Sequence, residues 1–364
     1  KTKTNCIETN LIGRTILPTR KLFKEEVTMK SRLLISTLIL SMGGLFFSQT
    51  SVSAETIIKF SHNMPQKKTA TYHRYFLLFQ ELANKYTNNA VTLREFPGAQ
   101  MGSDQKAAKK LQLGTIEMMA VASNNLAQLY GGFDLFTLPF IFKDLACAAD
   151  HVLTDKGLLN DISSGAQKKA NIRVLAFCVG GMRNMMNSKK PILTPADLKG
   201  VRMRVAKNPI QLDTYKALGA DAIGIAAKET YSALQTRVVD GHDGGSSWAY
   251  SHKLHEVQKY ISITGHQVVV ISVIMNNKAF NKLSKKVQAG LTRAAQEAAT
   301  DNMNYMKNNE SKIMDKFRKS GLKFSKPDLA PFRSAVKGVW GKYSDRVGGW
   351  DRINKVQNLQ KQCK

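Results

Sequence analysis

The sequence predicts an α/β protein organised as one large two-lobed unit or as two domains. Segments with the alternation and β-branched residues of strands are separated by segments with helical spacing, an order that favours a parallel sheet covered by helices. A helical stripe from Ser284 to Lys319, without proline and with one glycine, is long enough to brace both lobes. About 310 residues follow residue 54, a length that suits this architecture.

Before residue 122 the predicted strands and helices alternate one for one. Asn63-Met64-Pro65 and Pro97-Gly98 mark turns, and Gly114 is a good stop for the helix before it. The elements predicted here are strands at 56–61, 90–96 and 116–121 and helices at 72–88 and 104–113.

Beyond residue 170 the alternation returns. In one strand Val201, Met203 and Val205 share a face, so Arg202 and Arg204 share the other. The elements predicted here are strands at 172–178, 185–187, 201–205 and 268–276 and short helices at 194–198, 211–218 and 230–236. Because no low-complexity linker separates the lobes, we expect several crossing segments between them. One lobe should span approximately 55–178 plus a later crossing segment, and the other approximately 179–275 plus the C-terminal helices.

Residues 29–54 have the three parts of a secretory signal peptide. Lys30 and Arg32 form a basic n-region, residues 33–47 form an apolar h-region, and Val52-Ser53-Ala54 supplies small residues at the cleavage positions. The alternatives are a membrane anchor or a buried core helix, but the h-region is shorter than the about 20 residues of a bilayer span. We therefore expect export to the periplasm and a mature chain, 55–364, that begins near Glu55.

The chain is strongly basic, with a formal net charge of +27. Residues 1–28 are interpreted as an upstream non-native extension, and the part after residue 54 keeps 46 Lys/Arg and 24 Asp/Glu. This charge attracts anions, which include nucleic acid and anionic membranes. The lysines are spread along the chain without a nucleic-acid-binding signature, so a solvated basic surface explains most of the charge. We expect no nucleic-acid partner.

Cysteine spacing leaves the disulfide pattern open. The predicted mature chain has Cys147, Cys178 and Cys363, and at most one pair can form among three. A bond between Cys147 and Cys178 is one option in an oxidising compartment. No Cys-x-x-Cys motif or Cys/His cluster indicates a metal site, and no cofactor is expected.

Six segments in a fixed order resemble the periplasmic solute-binding subunit of a TRAP (tripartite ATP-independent periplasmic) transporter, of the dicarboxylate-receptor-like family. The resemblance covers roughly residues 55–345. The segments are FPGAQMGSDQKAAKKLQLGTIEMM (96–119), FTLPFIF (136–142), GMRNMMNSKKPILTPADLKGVRMRV (181–205), ALGADAIGI (217–225), ETYSALQTRVVDG (229–241) and HEVQKYISITGH (255–266).

This resemblance implies a periplasmic-binding-protein-like fold, with two α/β lobes around a cleft that a long helix spans. It also implies a function without catalysis. A small organic anion, most simply a carboxylate, would be bound by closure of the cleft and delivered to membrane permease subunits driven by an ion gradient. We expect the receptor to be a monomer.

Two arginines match basic positions of the family's ligand site. Arg204 corresponds to the arginine on the strand after the Leu-Lys-Gly turn, and Arg183 to a second position that often helps to hold the anion. A planar guanidinium can meet a carboxylate with two parallel charge-assisted hydrogen bonds. From the pattern alone, Arg204 could also be the polar face of a strand and Arg183 a surface salt bridge of little energetic value.

Two departures from the family pattern concern the positions that read the ligand. Asp240-Gly241-His242-Asp243 matches the pattern Asp-Gly-x-Glu-Asn, but Gly244 stands where the family has a ligand-binding asparagine. Asp243 either accepts a hydrogen bond from the ligand or fixes the loop. Ala227 stands where many relatives carry an aromatic residue, so either the ligand is bulkier or Trp248 fills the gap.

Polar residues that follow two predicted strands complete the candidate site. His62 and Asn63 follow the first strand, and Ser123 and Asn124 follow the third, where a parallel sheet presents ligand-facing loops. Asn63 could equally serve the turn. Asp104 lies near the cleft in relatives, although it could instead cap the helix that follows.

Two other function classes compete with a TRAP receptor. A secreted enzyme acting on a small acid would need a nucleophile with a base, or a metal cluster, and the sequence shows neither. A binding module of another importer or of a sensor would share the two-lobed fold, which does not decide between them. The six ordered segments favour the TRAP receptor.

Overall fold

The computed structural model describes residues 56–363, which form a two-lobed α/β fold built on one nine-stranded sheet. The residues of the predicted extension and signal peptide lie outside this range. The strands are β1 (Thr56–Ser61), β2 (Val91–Phe96), β3 (Met118–Ala122), β4 (Ile172–Asn187), β5 (Arg202–Val205), β6 (Asp221–Gly224), β7 (Gly241–Gly245), β8 (Tyr260–Asn276) and β9 (Lys323–Ser325).

Helices cover the sheet, as the alternation predicts. The α-helices are α1 (Thr71–Thr87), α2 (Asp104–Leu113), α3 (Leu145–Cys147), α4 (Lys156–Ala170), α5 (Pro209–Ala217), α6 (Thr230–Gln235), α7 (Ser246–Ser251), α8 (Asn277–Asn281), α9 (Lys285–Lys319), α10 (Ala330–Ala335), α11 (Lys337–Val347) and α12 (Trp350–Leu359). Six short 3-10 helices lie at Ser123–Leu126, Gly131–Thr137, Pro195–Leu198, Ala227–Glu229, Leu254–Val257 and Gln360–Gln362, and a π-helical turn at Ala148–Val152. No helix in this part of the chain is long and apolar enough to cross a bilayer.

The sheet is mixed, so the prediction of a parallel sheet is wrong in part. Its order is β2-β1-β3-β8-β4-β7-β5-β6, with β9 paired to β8. The pairs β1–β2, β1–β3, β5–β6 and β5–β7 are parallel, whereas β8 runs antiparallel to both β3 and β4, and β4 to β7. Every antiparallel pair includes β4 or β8, the two long strands that run between the lobes, and local alternation does not reveal this.

Two long strands join the lobes. The segments predicted as separate strands at 172–178 and 185–187 are one strand, β4, and β8 begins eight residues before the predicted 268. Three register shifts interrupt their pairing, between Val174 and Ala176, Val179 and Met182, and Arg183 and Met185. Bulges of this kind bend a strand and increase its twist. The bends let one pair of strands belong to both lobes.

The long helix α9 spans both lobes, as predicted. Near its start the hydroxyl of Tyr75 on α1 donates to the backbone oxygen of Ala295 (2.9 Å). Near its end Glu310 accepts a hydrogen bond from Ser246 on α7 (2.6 Å). Its buried face carries small and polar residues where it crosses the sheet, including Ala298 and Asn302. Small residues allow close packing of the helix along both lobes.

A disulfide bond joins Cys147 to Cys363, with a Cα–Cα distance of 5.7 Å. The alternative pairing of Cys147 with Cys178 is therefore wrong, because Cys178 is a free thiol buried inside β4. The chain end returns to the Cys147 region, where Gln360 Nε2 donates to the backbone oxygen of Ile141 (2.6 Å). The bond fixes the end of the chain to the Cys147 region.

The disulfide should stabilise the fold substantially, because it links residues 216 positions apart in sequence. Replacing Cys363 with serine should lower the free energy of unfolding by about 2–4 kcal/mol, measured by chemical denaturation. A reducing agent should weaken the wild-type protein by a similar amount and leave Cys363→Ser unchanged. Equal stability of the oxidised wild type and the variant would contradict this role.

Candidate functional site

A buried cavity lies where the loops of the two lobes meet. It encloses about 40 Å³ and is called here the cleft cavity. The first lobe contributes residues from the ends of β1 and β3 and from α1 and α2, and the second contributes residues from β5, β7 and α7. Its lining comprises Asn63, Tyr72, Asp104, Ala122, Asn125, Arg183, Arg204, Ala206, Ala227, Gly245, Trp248 and Val269.

Arg204 lies on β5 with its side chain directed into the cleft cavity. It is 3% exposed, and its Nε and Nη2 both donate to the backbone oxygen of Ile225, at 3.0 and 2.6 Å. Burial lowers the pKa of Arg204 to about 10, so the guanidinium remains charged at neutral pH. Its carbon lies 5.3 Å from the centre of the Trp248 ring, within cation–π range. Nη1 makes no hydrogen bond within residues 56–363 and is available to a ligand.

Arg183 reaches the same cavity from β4 and is held from behind. Its Nη1 lies 3.2 Å from Asp243 Oδ2, and its Nη2 donates to Asn124 Oδ1 at 3.4 Å. Nε is buried and has no partner in the described part of the chain. Asp243 and Asn124, both predicted as ligand contacts, do not line the cavity. They hold Arg183 instead.

Asp243 is ionised although it is completely buried. Burial disfavours its charge, but Arg183, a hydrogen bond from His266 and the charge of Arg204 outweigh that effect and hold the pKa of Asp243 well below its usual range. His266 Nε2 lies 3.4 Å from Asp243 Oδ2, and the other ring nitrogen bonds Thr264. The carboxylate therefore neutralises one of the two arginines before any ligand arrives.

Asp104 faces the two arginines from the first lobe. It is the first residue of α2, but it is not the cap, because the side chain of Ser103 accepts from the backbone of the helix. Asn63 Nδ2 and Asn125 Nδ2 both donate to Asp104 Oδ2, at 2.7 and 2.8 Å. Burial raises the pKa of Asp104 to about 6, although the Asn63 hydrogen bond and Arg204 act against the rise.

The two departures from the family pattern are linked in space. A side chain at Gly244 would place its first carbon 2.8 Å from two atoms of the Trp248 ring, which is closer than atoms can pack. Trp248 and Ala227 line the cavity together. Gly244 thus admits the Trp248 ring, and Ala227 leaves space beside it.

Two residues predicted to contact the ligand, Ser123 and His62, do not line the cleft cavity in this structure. Ser123 Oγ bonds the backbone oxygen of Val270 (3.0 Å) and the hydroxyl of Ser272 (2.8 Å), which fixes it inside the sheet. His62 bonds Glu95, at 2.7 Å between Nε2 and Oε1. Both residues follow strands, but strand position alone does not decide which way a side chain turns.

His62, His73 and Glu95 lie close enough to share a cation, a cluster that the sequence did not reveal. His73 Nδ1 lies 2.6 Å from Glu95 Oε1. The backbone amide of Met64 donates to His62 Nδ1, which leaves the ring proton on Nε2, directed at Glu95. Hydrogen bonds from these groups lower the pKa of Glu95 to about 2 despite its burial. A hydrogen-bonded network accounts for the cluster.

Sequence reasoning found the charged centre of the site but missed much of its lining. Of the residues predicted to bind the ligand, Asn63, Arg183, Arg204 and Trp248 line the cavity. Tyr72 and Asn125 line it too, although Tyr72 reads as an apolar position of α1. The sequence did contain a signal for Asn125. It lies in the loop after β3, as Asn63 lies in the loop after β1, and these two strands are parallel neighbours.

Unpartnered polar atoms show what the cavity can bind. Buried atoms without a hydrogen-bond partner in residues 56–363 include Arg183 Nε, Trp248 Nε1 and Asn63 Oδ1, all on residues that line it. Together with Arg204 Nη1, the atoms Arg183 Nε and Trp248 Nε1 provide three unpartnered donors, which suit an anion. Asn63 Oδ1 is an unpartnered acceptor, which suits a ligand hydroxyl. Buried polar groups are seldom left unpaired, so such a cluster indicates a ligand site.

Comparisons with known proteins identify the family of the chain. The family described as bacterial extracellular solute-binding protein, family 7, matches residues 60–346. The 2,3-diketo-L-gulonate-binding periplasmic protein YiaO of Escherichia coli is 32% identical over 286 residues, 79% of this chain and 86% of that protein. The C4-dicarboxylate-binding periplasmic protein DctP of Rhodobacter capsulatus is 30% identical over 313 residues, 84% and 91% of the two chains.

A solved structure extends the likeness to three dimensions. The TRAP periplasmic solute-binding protein of Polaromonas sp. JS666, bound to D-erythronate, is 27% identical with a TM-score of 0.78, and the match covers 83% of this chain and 98% of that one. The chain belongs to bacterial extracellular solute-binding protein family 7, and its function is that of a solute receptor of a TRAP transporter, not of an enzyme.

Proposed function

We propose that the ligand is a small hydroxylated carboxylate, with its carboxylate on Arg204 and Arg183 in the cleft cavity. The observation that carries the proposal is that two buried guanidiniums keep unpartnered donors at one cavity. Arg204 can offer Nη1 and the second hydrogen of Nη2 to a carboxylate, and Arg183 can offer Nε. Charge-assisted hydrogen bonds of this kind are the strong ones, and exclusion of water strengthens them.

The rest of the lining supports ligand hydroxyls. Asn63 Oδ1 has no partner among the described residues, Asp104 Oδ1 accepts neither of the bonds made to that carboxyl group, and Trp248 Nε1 is an unused donor. Hydroxyl groups can both donate to and accept from such atoms. The names of the relatives agree, because 2,3-diketo-L-gulonate and D-erythronate are carboxylates with several oxygen substituents.

Trp248 is proposed to form a flat wall against the ligand's carbon chain. Its ring already stacks near Arg204, so the same face orders the guanidinium and limits the width of the cavity. A space of about 40 Å³ admits little more than water, so the lobes must separate for ligand entry and close again around it. The bent strands β4 and β8 are the elements that can absorb this motion.

The function is tested by a thermal-shift screen of organic acids followed by calorimetry on an arginine variant. A ligand at 100 times its Kd should stabilise the protein by about 2.7 kcal/mol. For the acid so identified, Arg204→Ala should weaken binding by roughly 30-fold to several thousand-fold, because truncating a buried charge pair costs about 2–5 kcal/mol. The affinity of Arg204→Lys should lie between those of the wild type and Arg204→Ala, because lysine keeps the charge but cannot make two parallel hydrogen bonds.

Arg202→Ala is the matched control, because Arg202 lies two residues away on the same strand and faces solvent. Its guanidinium pairs with Asp240 (2.8 Å) outside the cavity, so affinity should remain within about threefold. Circular dichroism checks that each variant is folded. A folded Arg204→Ala protein with wild-type affinity would contradict the assignment and leave Arg183 as the main anion anchor.

The packing of Gly244 against Trp248 gives a second prediction. Gly244→Asn restores the family's residue but should lower the free energy of unfolding by about 1–3 kcal/mol, because its Cβ collides with the ring. Adding Trp248→Ala should remove most of that cost, which a double-mutant cycle by chemical denaturation measures. Additive effects of the two substitutions would show that the residues do not share the space.

The remaining expectations concern the exported protein. We propose that residues 29–54 are cleaved, so that a monomeric receptor beginning near Glu55 works in the periplasm without nucleic acid. One lobe would lie near 55–178 plus a later crossing segment, and the other near 179–275 plus the C-terminal helices. The support is the order of n-region, h-region and small residues. Native mass spectrometry of the exported protein should give one chain with this start. Retention of residues 33–47, or a dimer mass, would contradict the proposal.

A further inference from the structure

Four charged groups at or directly behind the cleft cavity nearly cancel one another. The pair of Arg183 and Asp243 is neutral, with 3.2 Å between its charged atoms. Arg204 and Asp104 line the cavity from opposite lobes and form a second opposed pair without a direct bond. If all four are ionised, the site carries no net charge before a ligand binds.

His266 on β8 faces Asp243 from behind, at 3.4 Å, and is hydrogen-bonded to that carboxylate rather than to the cavity. Three further titratable groups that face this region are neutral at pH 7. Burial raises the pKa of Tyr72 on α1 well above its usual value, so the phenol stays protonated. Burial and Arg204 lower the pKa of His242 on β7 to about 3, and burial lowers that of His252 after α7, so both rings are neutral at pH 7. Glu229, beyond Arg204, does not line the cavity.

An organic anion therefore brings an uncompensated negative charge into a closed cleft. A buried charge without a counter-charge costs several kcal/mol, and protein sites commonly avoid it by changing protonation. Asp243 cannot be the group that changes, because Arg183 and His266 hold it ionised. Asp104 is the acid of the site that has no ion-pair partner within 4 Å in residues 56–363.

We infer that Asp104 sets the charge of the ligand: the cleft binds a singly charged carboxylate together with one proton, held on Asp104, and disfavours dicarboxylates. This inference rests on the proposed carboxylate site. A second carboxylate on the ligand would add another negative charge. The described lining has no further cation to balance it and no further acid that could take up a proton. Asp104 is therefore a specificity-determining residue, distinct from the arginines that supply general attraction for anions.

The hydrogen bonds of Asp104 leave room for this proton. Asn63 and Asn125 both donate to Oδ2, so Oδ2 stays an acceptor. A proton on Oδ1 would make that atom a donor toward a ligand oxygen. Burial raises the pKa of Asp104 to about 6, so this carboxyl group takes up a proton more readily than an ordinary aspartate does.

The pH dependence follows from linkage. Ligand binding raises the pKa of Asp104 above its ligand-free value, so affinity is greatest below about pH 6, where the free protein is already protonated. Above that pH, affinity should fall by up to about tenfold per pH unit until the pKa of the complex is reached. Dicarboxylates such as succinate should bind at least about tenfold more weakly than a monocarboxylate of similar size at pH 7.

The experiment is calorimetry at several values between about pH 5.5 and 8.5, in phosphate and in Tris, whose ionisation enthalpies differ. The probes are D-erythronate, or the tightest monocarboxylate of the screen, and succinate. At pH 8 the buffer dependence of the heat should show uptake of nearly one proton per monocarboxylate. Binding without proton uptake and without loss of affinity up to pH 8.5 would overturn the inference and leave the proposed function standing. Failure of every acid to bind would refute both.

Asp104→Asn is the decisive variant, because asparagine imitates a protonated aspartate and can keep the bonds from Asn63 and Asn125. It should abolish proton uptake, flatten the pH profile and bind the monocarboxylate more tightly than the wild type at pH 8.5. Asp213→Asn, on α5 and paired with Lys342, is the control and should retain the wild-type pH profile. Unaltered proton uptake in Asp104→Asn would place the titrating group elsewhere and overturn the assignment.

Discussion

The buried ion pair between Arg183 and Asp243 is the interaction on which the ligand site depends. Their strands, β4 and β7, are neighbours in the sheet, and the antiparallel register places Arg183 opposite Gly245 and Asp243 opposite Met185. Breaking a buried pair typically costs about 3–5 kcal/mol, because it leaves one charge uncompensated. The pair therefore fixes where Arg183 can lie, and with it the second-lobe side of the cavity. Its neutrality also leaves Arg204 as the cation that a ligand carboxylate can use.

The elements that carry this site are the same ones that connect the lobes. Arg183 lies on β4 at a register shift with β8, so the strand bends where its side chain enters the cavity. Gly181, two residues earlier, has φ of +101°, a conformation that favours glycine. Helix α9 bonds this segment, because the amide of Met182 donates to Glu310 (3.3 Å). Any closing motion of the lobes must therefore move the anion anchor and its brace together.

Local sequence patterns predicted most elements but not how they are joined. Helix α2 begins and ends where the capping residues place it, and α9 follows from its stripe and its lack of proline. The sequence pattern divides β4 into two short strands because Gly180-Gly181 interrupts it. In the structure a β-bulge accommodates both glycines, and the strand continues. The disulfide depends on the return of the chain end to Cys147, which no spacing rule contains. Long-range pairing, not local preference, decided the crossing strands and the disulfide.

For the site, strand alternation turns both Arg202 and Arg204 away from Met203 and Val205, and the resemblance to the family, not the alternation, singled out Arg204. Alternation could not assign His62, since a loop residue is directed by its partners, here Glu95 and the amide of Met64. Asp104 is a third case. The sequence indicates an aspartate near the cleft, but its burial and the hydrogen bonds that it accepts from Asn63 and Asn125 depend on three separate elements.

Affinity and selectivity are divided between different parts of the cleft. The arginines attract any carboxylate, since charge-assisted bonds to a guanidinium depend little on the remainder of the ligand. Discrimination must come from groups that a wrong ligand would leave unpaired or would clash with. In a closed cavity, an unpaired polar group costs more free energy than the loss of one methylene contact. In this chain the groups proposed for this role are Asp104, Asn63 and the Trp248 ring that Gly244 admits. Under the proposed function, glycine in place of the family's asparagine exchanges a polar ligand contact for an aromatic wall. The charged groups of the cleft, the two arginines and Asp104, keep their roles.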